Sequence, residues 1–178
     1  MPPESQAPNT AITLEEPAIA GADAYPELIL PSGTIAPEFS LQFAADKFIS
    51  LSDFRGQPVV LAFYPADFSP VCSDQLTLYN EILDEFVRHN ARLLGISVDG
   101  PFCHQAYAKS RGLEFPLLAD FEPKGHVARR YGVYHAQAGV AQRALFVIDP
   151  LGMIRWSHLA SMDVSPGADG ILAALAAL

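Results

Sequence analysis

Cysteine is scarce in this chain. Only Cys72 and Cys103 occur among its 178 residues. Two thiols are too few for a disulfide framework and fit a reducing compartment, so a cytoplasmic protein is expected. A C-x-x-C pair is absent, which disfavours a disulfide exchanger of that kind. Long apolar runs are absent too, so no membrane-spanning segment is expected. The opening MPPESQAPNT has no lysine or arginine and no apolar stretch behind one, so no secretory signal is expected. Positive charge is in short supply: 11 lysines and arginines stand against 20 acidic residues, for a formal net charge of −9. No basic patch stands out, which argues against nucleic acid as a partner. His89, His104, His126, His135 and His158 are scattered, and none pairs with a cysteine or carboxylate at metal-ligand spacing. Neither a metal nor a cofactor is expected.

What is present is a globular composition. Hydrophobic residues make up 50% and charged residues 17%, enough for one domain with a sizeable core. Residues 1–30 stand apart. Pro2, Pro3, Pro8, Pro17 and Pro26 interrupt them, Glu4, Glu15, Glu16, Asp23 and Glu27 are unbalanced, and the first positive side chain is Lys47. An acidic, proline-rich arm is expected there, extended or partly disordered, with the domain over 31–178. Leu28-Ile29-Leu30 is one apolar piece that could strap the arm down.

Within the domain, strands and helices alternate. Short strands are expected at Phe39–Phe43 and Phe48–Leu51, with a single helical turn at Ser52–Gly56. Buried strands are expected at Pro58–Tyr64, Arg92–Val98 and Arg143–Asp149, and shorter extended pieces at Phe115–Ala119 and Met153–His158. Helices are expected from Pro70 to about Arg88, then at Pro101–Arg111, Lys124–Tyr131 and Ala168–Leu178. This order gives an α/β fold with a central mixed β-sheet flanked by helices.

One stretch organises the rest. Val59 to Tyr64 is a continuous apolar run, as in a strand covered on both faces. Pro65-Ala66-Asp67-Phe68 is a turn, and Ser69-Pro70 is a strong helix start. Cys72 therefore falls in the first turn of a helix, where unpaired N–H groups and a partial positive charge favour a thiolate. A lone cysteine is most often a small apolar filler. This one instead follows the C-terminal end of a buried strand, where open α/β sheets place their sites, and it is flanked by turn residues.

Pro65, Ser69 and Cys72 form P-x-x-x-S-x-x-C. This resembles the active-site signature of peroxiredoxins, and the segments LSDFRGQPVVLAFYP, GISVDGPF, FPLLADFEPKGHVARRYGV and QRALFVIDPLGMIRW resemble the family as well, closest to its alkyl hydroperoxide reductase E type. The resemblance covers about Pro31 to Trp156. It implies a thioredoxin-like fold and the reduction of hydrogen peroxide and organic hydroperoxides. By the same resemblance Cys72 is the peroxidatic cysteine, Ser69 holds the peroxide oxygen, Pro65 shields the thiolate, and Arg143 is the family arginine. Gln75 stands where many relatives carry glutamate. The partners implied are a peroxide and a thiol reductant, whether thioredoxin, a glutaredoxin-like protein or a small thiol, and a homodimer is the family expectation.

The chemistry asks for those residue types independently. A thiolate displaces at a peroxide oxygen, and the leaving oxygen needs a donor and a dry pocket. Arginine keeps its charge and offers fixed donors. Ser69 has two competing tasks, capping the helix and binding peroxide. Cys103 has two readings, a resolving cysteine that forms a disulfide with oxidised Cys72 or an inert thiol that leaves recycling to an external one. A second function class also remains open: a redox relay that passes disulfides to a partner.

Overall fold

The computed structural model describes residues 28–178. The expected arm lies outside them except for its last three residues. Leu30 N–H donates to the Tyr131 carbonyl at 3.2 Å, and Ile29 and Leu30 pack against one of the two cores. Gly132 makes this docking feasible. Its φ is +70°, and a Cβ there would fall 1.9 Å from the Leu28 carbonyl oxygen, a backbone clash that only glycine avoids.

Nine strands form along the described chain: β1 Ser40–Ala44, β2 Lys47–Ser50, β3 Val59–Phe63, β4 Arg92–Ser97, β5 Leu117–Ala119, β6 Tyr134–His135, β7 Val140–Ala141, β8 Ala144–Ile148 and β9 Ile154–Leu159. Seven of them make one sheet in the order β2-β1-β5-β4-β3-β8-β9, and β6 and β7 form a separate hairpin. The central strands β3, β4 and β5 run parallel, while β1, β8 and β9 join antiparallel. The helices are α1 Pro70–Glu81, α2 Leu83–Arg88, α3 Pro101–Arg111, α4 His126–Arg130 and α5 Asp169–Ala176, with a 3-10 turn at Leu51–Phe54.

The period-two alternation of strands divides the apolar residues between two cores. On β3, Val59, Leu61 and Phe63 face one cluster with α4, and Val60 and Ala62 face the other with α1, α3 and α5. On β8, Phe146 and Ile148 take the first side, Leu145 and Val147 the second. A sheet covered on both faces explains why β3 and β8 read as unbroken apolar runs. On β4, Gly95 stands on the second side, where a Cβ would meet Leu117 Cδ2 at 2.6 Å.

The structure departs from the expected elements at two places. The long helix after Cys72 is broken at Ile82, whose φ of −107° and ψ of 22° leave the helical region, so α1 and α2 are separate. The β6–β7 hairpin was not anticipated, because two-residue strands leave no detectable alternation.

Because β3 and β4 are parallel neighbours, with Phe63 opposite Ile96, their C-terminal ends share one edge. Helices α1 and α3 both begin just beyond that edge. Cys72 and Cys103 therefore open adjacent helices.

Candidate active site

The turn between β3 and α1 carries Pro65 and Ser69, both half-buried. Ser69 occupies the cap position in extended conformation, yet its side chain makes no capping bond. The expected competition for the Ser69 hydroxyl is thus absent. The first helical bond runs from Ser73 N–H to the Ser69 carbonyl at 2.9 Å. The N–H groups of Val71 and Cys72 precede that ladder, and they give the first turn its positive character.

Cys72 is completely buried, at 0% exposure, in the cluster that includes Tyr64, Leu76, Tyr79 and Tyr107. What distinguishes it from a filler is Arg143, which immediately precedes β8. Arg143 is itself 1% exposed, and its Nη2–H donates to Cys72 Sγ at 3.4 Å and to the Met162 carbonyl at 3.0 Å. Its Nη1–H donates to Gln75 Oε1, one turn along α1. Gln75 Nε2–H donates to Tyr79 Oη at 3.3 Å, and Tyr79 O–H donates to the Gly167 carbonyl at 3.0 Å. Burial pushes the Tyr79 hydroxyl up to about 12, so it stays protonated at neutral pH. Arg143 Nε–H has no protein acceptor.

A buried guanidinium is stable only with compensation. Among the described residues no carboxylate pairs with Arg143, and the four ion pairs found there lie elsewhere. The one ionisable group it touches is the thiol of Cys72. Arg143 thus sets a buried positive charge against the sulfur.

A second polar network lies beside the first. Asp67, on the same turn as Ser69, accepts from Tyr64 O–H at 2.8 Å and lies 2.9 Å from His104 Nδ1. Its N–H donates to Asp99 Oδ2 at 2.9 Å, which also accepts from Ser97 O–H at 2.7 Å. Cys103 borders these carboxylates. Burial first, then its hydrogen bond to Asp67 and the charges of Asp67 and Asp99, push its thiol up to about 11. Cys103 is thus held protonated. The next residue of the turn, Phe68, is over half exposed with φ of +60°, a left-handed conformation, and its ring rests on Tyr107 at 4.9 Å between centroids.

The arrangement brings Cys72 and Arg143 together from positions 71 residues apart and places Ser69 and Pro65 on the adjoining turn. It also shows what sequence reading missed. His104 is fully buried on Asp67 rather than merely scattered. Tyr79 is more than a core residue of α1, and the Met162–Gly167 segment reaches the site. Asp67 was legible only as a turn residue. Its position one residue before the Phe68 kink is the signal that could have singled it out.

A family model described as the AhpC/TSA family matches residues 32–157. Alkyl hydroperoxide reductase E of Mycobacterium tuberculosis is 38% identical over 132 residues, covering 74% of this chain and 86% of that protein. Peroxiredoxin-2 of Bos taurus is 38% identical over 150 residues, covering 79% and 74%. Among solved structures, the peroxidoxin BcpB from Mycobacterium tuberculosis superposes with a TM-score of 0.75 at 31% identity, covering 84% of this chain and 98% of that one.

Proposed function

The chain belongs to the AhpC/TSA family, and on that premise we propose that its reaction runs through the thiolate of Cys72, with Arg143, Ser69 and Pro65 around it. The fold is thioredoxin-like and the protein is a thiol-dependent peroxidase, the activity of its peroxiredoxin relatives. The redox-relay reading is not favoured by that company. The observation that carries the site assignment is the buried guanidinium 3.4 Å from the sulfur, with no carboxylate paired to it among the described residues.

The reaction balances as follows. The Cys72 thiolate attacks one peroxide oxygen, forming S–O as O–O breaks. Sulfur loses two electrons and becomes a sulfenic acid. The peroxide is reduced, and its other oxygen leaves as hydroxide or alkoxide and takes up a proton. The Arg143 Nε–H, which lacks a protein acceptor, is a donor for the oxygen that gains charge. The uncommitted hydroxyl of Ser69 serves the peroxide, and Pro65 limits water. A thiol then displaces water from the sulfenic acid to give a mixed disulfide, and a second thiol releases reduced Cys72.

Cys103 does not serve that second step. A thiol held protonated between two carboxylates is a poor nucleophile toward the sulfenic acid. Recycling therefore falls to an external thiol, either a thioredoxin- or glutaredoxin-like protein or a small thiol, in the cytoplasm. No helix among the described residues is long and apolar enough to cross a membrane. The protein works as a homodimer. Phe48 and Phe121 are exposed large apolar side chains that line one groove together with Pro101, an area that a second copy would cover.

Cys72→Ser tests the site. It abolishes peroxide consumption in a coupled thiol assay, and retained consumption would refute the assignment. Intact mass after one equivalent of peroxide should show oxygen added to Cys72 rather than loss of two hydrogens to an internal disulfide.

A further inference from the structure

Three cations, Lys124, Arg129 and Arg130, stand within seven residues of one another. Elsewhere Arg55, Arg88 and Arg155 each pair with a carboxylate, but among the described residues none pairs with these three. Asp120 is turned onto the Val127 and Ala128 N–H groups, and Glu38 onto Ser52 N–H and Arg55. The other acid of residues 120–135 is Glu122, which is exposed. Two of the cations gather on one ring. Arg129 Cζ lies 3.7 Å from the Tyr134 centroid, a contact that holds a guanidinium without neutralising it. Glycines let the chain close around that ring. A Cβ at Gly125 would fall 2.2 Å from Tyr134 Cε2, and one at Gly139 would stand 3.2 Å from Lys124 Nζ and 3.9 Å from Tyr134 Oη. Lys124 is exposed, and Arg129 and Tyr134 are half-buried.

Carboxylates that match this face belong to the same chain. Residues 1–27 hold Glu4, Glu15, Glu16, Asp23 and Glu27 and no lysine or arginine, and the family match begins only at residue 32. They join the domain at Leu28, whose carbonyl lies against Gly132, just past the end of α4. Gly132 N–H in turn donates to the Arg129 carbonyl at 3.0 Å, so Glu27 begins about one helical turn from Arg129. Five extended residues span up to ~17 Å, and α4 is ~8 Å long, so Asp23 can reach Lys124. We propose that Lys124, Arg129 and Tyr134 form a docking surface for the chain's own acidic segment, engaged through Asp23 and Glu27. A single exposed ion pair contributes little, but a tethered partner binds at high effective concentration. The tether is the Leu28–Leu30 piece already bound at Tyr131, an advantage that a free acidic peptide lacks. Helix α4 packs on the sheet face opposite the cluster that encloses Cys72, so the docking is separate from the peroxidase chemistry.

Carbodiimide cross-linking of the full chain, which joins a carboxylate directly to an amine, tests the contact when the linked peptides are located by mass. The lysines are Lys47, Lys109 and Lys124, so the first two serve as controls. Cross-links from Asp23 and Glu27 concentrate at Lys124. Arg129→Gln lowers that yield about fivefold. So does 1 M salt, where the screening length falls to ~3 Å, and this arm of the test serves if the variant does not fold. Equal yields at the three lysines would overturn the proposal, and so would a Lys124 yield that salt leaves unmoved. Mixing isotope-labelled and unlabelled protein separates the copies. Cross-links confined to one chain support the docking, whereas links joining labelled to unlabelled chains would give the segment to a neighbouring copy and overturn it.

Discussion

Replacing Arg143 by methionine removes the guanidinium while keeping most of the side-chain volume. At 3.4 Å and an effective dielectric of ~20, the attraction between a thiolate and a guanidinium is ~5 kcal/mol. The net effect is smaller, because burying the arginine costs desolvation. A single donor aimed at developing charge contributes ~2.7–4 kcal/mol to catalysis, so the rate constant for peroxide reduction falls ~10²–10³-fold. Stability behaves differently. The variant strands the Met162 carbonyl and Gln75 Oε1 but also removes a buried charge, and these effects oppose each other. The expected result is a large loss of rate with a modest change in Tm. Lysine is no rescue, because one ammonium cannot reach Cys72, Gln75 and Met162 in the guanidinium's fixed geometry. Stopped-flow measurement of Cys72 oxidation, beside thermal unfolding of the same sample, reads both quantities. A rate within about threefold of wild type in a folded Arg143→Met protein would refute the electrostatic argument.

Two further outcomes follow from other parts of the molecule. The Cys103 thiol sits at about 11 in the folded chain against an ordinary 9.0, so the folded state keeps its proton after the unfolded state has lost it. Its contribution to stability is present below pH 9.0 and is lost as pH rises through about 11. Iodoacetamide should accordingly label Cys103 in the folded protein only as pH approaches that upper value, while the urea-unfolded chain labels near the ordinary one, and Cys103→Ser should keep turnover with an external thiol. Labelling of folded Cys103 at neutral pH as fast as in urea would contradict its carboxylate environment. For the homodimer, Phe121→Asp, at a side chain 56% exposed, should shift sedimentation toward the monomer, and a wild-type monomer at micromolar concentration would end that proposal.

Much of the site was legible because its signals are local. Ser69-Pro70 marks the start of α1, and the apolar run before it marks β3, so the sequence alone places Cys72 at a strand end. Arg143 came from family likeness alone, since nothing in QRALFVID shows that the arginine turns inward. The break at Ile82 was invisible because apolar spacing continues through it from Tyr79 to Phe86. The Gln75–Tyr79–Gly167 chain and the Asp67–His104 pair join residues far apart in sequence, and no periodicity encodes such contacts. The complete burial of Cys72 was missed for the same reason.

That burial constrains how the catalytic cycle closes. A protein thiol must bring its sulfur to bonding distance of Cys72, about 2.05 Å, and no path exists while the residue has 0% exposure. Two segments border the site, and they are held by different partners. The turn bearing Asp67 is pinned through Tyr64, His104 and Asp99, in bonds that are buried or nearly so. The segment after β9 is held through the Met162 and Gly167 carbonyls and through Ala160 N–H, which donates to the Arg143 carbonyl at 2.8 Å. Two of those three ties end on Arg143, which also donates to Cys72 Sγ. On the proposed reaction, conversion of Cys72 to a sulfenic acid changes the group that Arg143 Nη2 faces, at the step after which the site must open. On that proposal the restraint that oxidation alters falls on the segment after β9, while the turn bearing Ser69 keeps its own buried bonds.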